Sequence, residues 1–440
     1  MNTSSLRSLD AAHVWHPFTQ MADYVGEQAP IIADAEGFFL IDTDGNRYLD
    51  GHSSLWCNIH GHRVPEIDQA IRDQLNRVAH STLLGLSNIS SIELAAELVR
   101  YAPTGLNRVF YADCGAAGVE VALKMAYQYH RQKPAPEPRE LFVGLSGAYH
   151  GDTVGTVSLG GIERFHSLFS GLMFPTLRVP TPATPGLSLS DCLTQTEALL
   201  TQHAERIAGF VIEPLVQAAA GILVHPPGYL RTIRELTKRL GILFIADEIA
   251  VGFGRTGTLF ACEQEHVIPD LMILSKGLTG GYLPLAATLT TDDIYEAFLG
   301  EPWAGRTFYH GHTYTGNPLA CAAALASLKR FETHQVLENA RQIDKTLQDE
   351  FSAFRFAKHA EVRHCGTMLG IELFQDARTR TSFPVERRIG HQVTLACRRL
   401  GVILRNIGDV VVVYPAPGMP LELVRNLCRA VKNALAEVLA

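Results

Sequence analysis

Along the middle of the chain, short apolar runs alternate with longer stretches whose apolar residues recur every three or four positions. Arg108–Asp113, Leu141–Ser146, Ala208–Glu213, Ile242–Asp247, Leu271–Ser275 and Leu285–Thr290 are rich in branched and aromatic side chains and predict strands. Between them, Ala116–His130 places Val119, Leu123 and Ala126 on one helical face, and Tyr229–Leu240 begins after a Pro-Pro-Gly break. Strands apolar on both faces and separated by helices predict a parallel sheet covered on both sides. The Pro-rich stretches Pro134–Pro138 and Val179–Pro185 predict surface loops. Beyond about Leu328 the texture changes to charged helical segments, the strands Thr367–Leu373 and Val410–Tyr414, and a final helix. The expected organisation is a large α/β domain over residues 61–325 and a smaller α+β domain over 326–440. Residues 1–60 would add strands near Gly37–Asp50 to the smaller one.

Composition narrows the class without naming an activity. With 440 residues, 47% hydrophobic and 19% charged, the chain is expected to be globular and to bury a large core. A formal net charge of −7 argues against a nucleic-acid partner. No apolar run is long enough to span a bilayer, and MNTSSLRSLDAAHVWHPF has no signal-peptide core. Eight cysteines lie scattered with no C-x-x-C pair, which suits reduced thiols in a cytoplasm.

In an open α/β sheet, ligands bind beyond the carboxyl ends of the strands. Glu213, Asp247 and Lys276 each follow such an end: AGFVI-Glu, ILFIA-Asp and LMILS-Lys. A buried ion pair plus a surface lysine is the plain alternative. Together, however, the three suit pyridoxal-phosphate chemistry. A lysine in low dielectric loses proton affinity and becomes an amine able to form a Schiff base. A carboxylate such as Asp247 can keep a pyridinium nitrogen protonated, so that the ring accepts electrons. The segment YADCGAAGVEVALKMA places Gly115 and Ala116 at a helix start, where backbone N–H groups can approach a phosphate. In GAYHGDT, Tyr149 could stack on a planar ring, with His150 and Asp152 beside it; Thr313 in HGHTYTGNP offers a hydroxyl to a phosphate. Other signals are discounted. Gly252–Gly257 matches G-x-G-x-x-G but no helical pattern follows it. The pairs His60/His62 and His310/His312 lack a third ligand at a recognisable spacing, so no metal site is expected.

Taken in order, these motifs resemble the class III (ω-amino-acid type) aminotransferases of the fold-type I pyridoxal-phosphate group, over nearly the whole chain. ADEIAVGFGRTG followed by SKGLTGGYLPLAATLTTD is the most specific part. WHPFTQM, DGHSSLWCNIHGH, AYHGDTVG, HGHTYTGNPLAC and LRNIGDV resemble the branch that converts 8-amino-7-oxononanoate to 7,8-diaminononanoate in biotin synthesis. The resemblance implies a mostly parallel seven-stranded sheet flanked by helices, pyridoxal 5'-phosphate as cofactor, small-molecule substrates, and a homodimer with shared active sites. It makes Lys276 the Schiff-base lysine and proton carrier, and Asp247 the partner of the pyridine nitrogen. Gly115, Ala116 and Glu213 join the cofactor set, Tyr149 stacks on the ring, and Thr313 binds phosphate from the neighbouring subunit. Arg405 would receive the substrate carboxylate, with Phe18, Leu55, Trp56, Tyr149 and Gly311 around the substrate.

Departures from the family's pattern concern specificity. Leu55-Trp56 replaces a frequent Trp-Trp, Phe18 a common tyrosine, and Arg405-Asn406 the family's Arg-Pro; Ala117-Gly118 stands where the wider class often has a glutamate. S-adenosylmethionine is the usual amino donor of the branch and lysine an alternative. Another class III enzyme acting on an ω-amino acid or diamine is the rival reading.

Overall fold

Runs of Ile, Val, Leu and Phe too short for helices take the extended form, and burial of both faces places them at the centre of the molecule. The computed structural model describes residues 2–352 and 358–439. Near the start, β1 (Ile32–Glu36), β2 (Phe39–Asp42) and β3 (Arg47–Asp50) form an antiparallel meander. The next strands are β4 (Leu106–Ala112), β5 (Leu141–Leu145), β6 (Leu177–Val179) and β7 (Ile207–Ile212). A small hairpin of β8 (Val216–Gln217) and β9 (Leu223–Val224) precedes β10 (Leu243–Asp247), β11 (Leu271–Leu274) and β12 (Ala286–Thr291).

Among the described residues, seven of these strands form one sheet in the order β4-β12-β11-β10-β7-β5-β6. It is mostly parallel, with β12 running against both neighbours. That strand is the exception within the expected mostly parallel seven-stranded sheet: the Ser275–Leu285 connection carries only the short turn Lys276–Thr279, not the helix a parallel crossover needs. Val179 is not loop but the end of edge strand β6; a three-residue strand containing Arg178 offers no apolar run to read. All six residues of β7 are buried, and full burial of a side chain such as Phe210 stabilises by roughly 1.5–3 kcal/mol. The helix Gly115–Gln132 lies on the sheet through Gly118, where an added Cβ would stand 2.9 Å from Ile273 Cγ2. Gly118 therefore lets the helix start approach the strand ends.

The remaining strands are β13 (Ala360–Cys365), β14 (Met368–Leu373), β15 (Val402–Ile403), β16 (Arg405–Ile407) and β17 (Val410–Val413). Four form an antiparallel sheet, β13-β14-β17-β16, while β15 pairs parallel with β3 through Val402 and Leu49. Leu49 accordingly packs in one core with Val402, Leu427 and Val431, the last two from the helix Leu421–Leu439.

Glu248, fully buried just past β10, accepts N–H bonds from Ala261 and Cys262 at 2.9 and 2.8 Å. Burial pushes its pKa from 4.5 up to about 7, against the pull of those two donors. The folded chain therefore holds this proton more tightly than the unfolded chain does. Its contribution is complete below pH 4.5 and lost as pH rises through about 7. Urea unfolding should show stability falling across this window, and Glu248→Gln should flatten the fall by an amount on the order of a few kcal/mol.

Candidate active site

A cavity of about 1590 Å³ opens beyond the carboxyl ends of β5, β7, β10 and β11. The strands deliver Tyr149, Glu213, Asp247 and Lys276 to its wall: Asp247 is the last residue of β10, and the other three follow the ends of β5, β7 and β11. Asp247 is 3% exposed. One of its oxygens lies 2.7 Å from His150 Nδ1, and the other accepts the Ile249 N–H at 3.1 Å. Burial opposes charge on His150, but the Asp247 bond and charge outweigh it and raise the histidine's pKa. His150 Nε2 is buried without a hydrogen-bond partner among the described residues. Glu213 accepts N–H bonds from Tyr149 and Ala218, at 3.2 and 3.0 Å. Burial pushes its pKa up to about 7 although His150 pulls the other way. Tyr149 donates to Asp152 at 2.6 Å, and burial and that bond raise its pKa.

Lys276 is half-buried, with φ +45°, and its neighbour Ser275 is fixed by a 2.7 Å bond to the Leu285 carbonyl. Among the described residues its Nζ has no hydrogen-bond or ion-pair partner, and it sits 5.1 Å from the centroid of the Trp56 ring. Burial lowers its pKa; the carboxylates Asp247 and Glu213 oppose that shift. The result is an amine with reduced proton affinity facing two acidic groups across a cavity.

At one end of the cavity the helix Gly115–Gln132 presents its first turn. Cys114 caps it without a side-chain hydrogen bond, leaving N–H groups free for an anion. Gly151 (φ +125°) packs against this turn so closely that a Cβ there would lie 2.4 Å from Ala116 Cβ. A phosphate cradle, an unpaired amine and a buried carboxylate in one cavity fit the donor set of a pyridoxal-phosphate site.

The opposite wall comes from both ends of the chain. Arg405, on β16, has its guanidinium 5.8 Å from the centroid of the exposed Phe18 ring, and burial lowers its pKa. Leu55 and Trp56 line the same wall; Trp56 stacks on Tyr414 with ring centroids 5.2 Å apart. Ser53, Ser54, Leu55 and Trp56 have φ of 50°, 40°, 64° and 72°. Left-handed backbone costs an L-residue roughly 1–2 kcal/mol, so this wall is held under strain. The helix Met21–Glu27 closes one side and is tied across the cavity by Asp23–Arg388 at 2.8 Å and Glu27–His391 at 2.5 Å.

Gly311 and Thr313 are not brought into this cavity; both are exposed on the 310–315 loop. In sequence His150 stands out only as a neighbour of Tyr149. The signal for its site position is its place after β5, but its partner Asp247 is 97 residues away. His60 and His62 make separate contacts, to Ser327 and to Asp50, and no group of three or more metal-ligating side chains occurs among the described residues.

This fold and site are those of a pyridoxal-phosphate aminotransferase. The aminotransferase class-III family profile matches residues 22–435, and the chain belongs to that family. The adenosylmethionine-8-amino-7-oxononanoate aminotransferase of Nitratidesulfovibrio vulgaris is 54% identical over 99% of this chain and 82% of its own. The crystal structure of the enzyme of that name from Methanocaldococcus jannaschii superposes with a TM-score of 0.95, at 41% identity and 99% coverage of each chain. An amine transaminase from an uncultivated Pseudomonas species, in its PLP-bound form, gives 0.92 at 33% identity over 97% of this chain and 98% of that one. The cofactor is pyridoxal 5'-phosphate.

Proposed function

We propose that the chain carries an amino group from S-adenosylmethionine to the ketone of 8-amino-7-oxononanoate, forming 7,8-diaminononanoate for biotin synthesis. The observation that carries this reading is the convergence of Lys276, Asp247 and Arg405 on one cavity, in a chain whose relatives bear that enzyme's name. Bound pyridoxal phosphate supplies an aldehyde to take up the amine and a ring to accept the electron pair released at the substrate carbon.

The residues then have distinct tasks. Lys276 would hold the cofactor through its amine and, once displaced by substrate, would supply a proton carrier at Nζ. Asp247 would keep the ring nitrogen protonated, and His150 fixes the carboxylate's orientation. Backbone N–H groups of Gly115 and Ala116 bind the phosphate. Tyr149 would stack on the cofactor ring, and Glu213 holds the Tyr149 backbone by accepting its N–H. Arg405 receives the substrate carboxylate, while Phe18, Leu55 and Trp56 cover its methylene chain and exclude water. Thr313 and Gly311 serve the other subunit of a cytoplasmic homodimer, which accounts for their position outside their own chain's cavity.

Holoenzyme given 8-amino-7-oxononanoate and S-adenosylmethionine should form the diamine by ping-pong kinetics. Efficient amination of pyruvate or 2-oxoglutarate, with none of the amino-oxononanoate, would overturn the assignment. Single-turnover spectra with S-adenosylmethionine or lysine as sole donor identify the donor. Arg405→Ala should raise KM for the keto acid roughly 10- to 100-fold, as expected for a charge-assisted bond of ~1.5–3 kcal/mol. Arg405→Lys should recover only part, because one ammonium cannot reproduce a bidentate contact. Steady-state kinetics with the keto acid as varied substrate check both.

A further inference from the structure

The strained wall Ser53–Trp56 must be held by something. Asp50, at the end of β3 and 2% exposed, faces it. Its Oδ1 accepts the Ser54 N–H at 2.8 Å and its Oδ2 accepts the Ser54 hydroxyl at 2.7 Å. Two imidazoles complete the carboxylate's surroundings: His52 Nδ1 lies 2.8 Å from Oδ1, and His62 Nε2 lies 3.0 Å from Oδ2. Asn58 in turn holds His62, with Nδ2 3.2 Å from Nδ1. No part of Asp50 lines the cavity, yet the next two residues after Ser54 do.

We infer that Asp50 is a positioning residue for the amino-transfer reaction: by gripping Ser54 at both backbone and hydroxyl, it keeps the left-handed turn that aims Leu55 and Trp56 at the substrate and Lys276. The inference rests on the proposed function only for its kinetic part. The two histidines hold the carboxylate so that both oxygens point at Ser54, and Tyr414 backs the indole from the other side. Without the grip, the four residues relax toward ordinary backbone and Trp56 leaves its place beside the lysine.

The test uses tryptophan emission of the holoenzyme together with kinetics. The chain has three tryptophans; Trp15 and Trp303 are 88% and 83% exposed, whereas Trp56 is 7% exposed. In a Trp15→Phe/Trp303→Phe background the emission therefore reports Trp56 alone. Adding Asp50→Asn should shift that emission to the red, make it quenchable by iodide, and raise KM for 8-amino-7-oxononanoate ~10-fold with a smaller change in kcat. Ser54→Gly placed on top of Asp50→Asn should recover part of both effects, because glycine takes the left-handed conformation without strain. If Asp50→Asn yields no folded protein, Ser54→Ala alone should give the same red shift with a KM increase of about 3-fold. Emission and KM unchanged in whichever of these folds would overturn the inference, as would a fall in thermal stability with Trp56 emission unmoved. If the parent enzyme does not use the keto acid, the proposed function fails, while the emission still decides whether Asp50 holds the turn.

Discussion

Lys276→Ala should abolish turnover, by roughly ten-thousand-fold or more, while leaving a folded protein that still binds its cofactor. The lysine is the only one of the cavity groups proposed to serve both as covalent tether and as proton carrier, so its loss removes two functions together. The fold should tolerate the change. Ser275 remains bonded to the Leu285 carbonyl, and the short turn Lys276–Thr279 closes through backbone bonds. Alanine at φ +45° inherits strain the lysine already carries. The Gly115–Gln132 helix start and Asp247, proposed to hold phosphate and ring, are untouched by the change. Wild-type protein treated with borohydride should keep the cofactor through denaturation, and the variant should release it. Mass spectrometry of the reduced, unfolded chains reads the difference directly, and a cofactor still attached in the variant would mean another residue is the tether.

Asp247→Asn should have the second largest effect, a fall in kcat of ~10²–10⁴-fold with a much smaller change in cofactor affinity. Asparagine fills the same volume, and its carbonyl can still accept the Ile249 N–H now bound at 3.1 Å. What disappears is the negative charge at the end of β10. By the proposed role of Asp247, the ring nitrogen would then no longer be held protonated and the ring would accept electrons less well. His150, 2.7 Å from the carboxylate and raised in pKa by it, loses its counter-ion at the same time. Rapid-mixing spectra of each half-reaction should show both slowed, because the ring serves both directions. A rate within about threefold of wild type would show that the charge does not act on the ring, given the magnitude that electrostatic stabilisation usually supplies.

The parts of this molecule legible in sequence are those written in consecutive residues. Lys276 and Asp247 each end a run of apolar residues, which marks them as strand ends in an α/β sheet before any contact is known. The six strands expected for the large sheet fall within a residue or two of β4, β5, β7, β10, β11 and β12. Illegible parts depend on pairings between distant segments. His150 and Asp247 touch across 97 residues, and neither neighbourhood carries a sign of the other. Arg405 and Gly311 rest on resemblance alone, since an arginine in a short edge strand or a glycine in an exposed loop has no local pattern, and for Thr313 the residues suggest a donor to phosphate but not which subunit it serves. The left-handed run Ser53–Trp56 was also hidden: nothing in Ser-Ser-Leu-Trp demands positive φ, and Asp50 and its two histidines impose it from outside.

The cavity wall built from Phe18 on one side and Arg405 on the other has a consequence for biosynthesis of the protein. On the ribosome, the strands bearing Asp247 and Lys276 emerge and can pair well before β16 exists. A chain arrested between these points would carry Asp247 and Lys276 but lack Arg405. A prematurely terminated product lacking residues from Val402 onward would also leave β3 without its parallel partner and Phe18 without Arg405 opposite it. Such fragments should be inert toward the keto acid whatever cofactor they meet, so selectivity is acquired only as synthesis finishes.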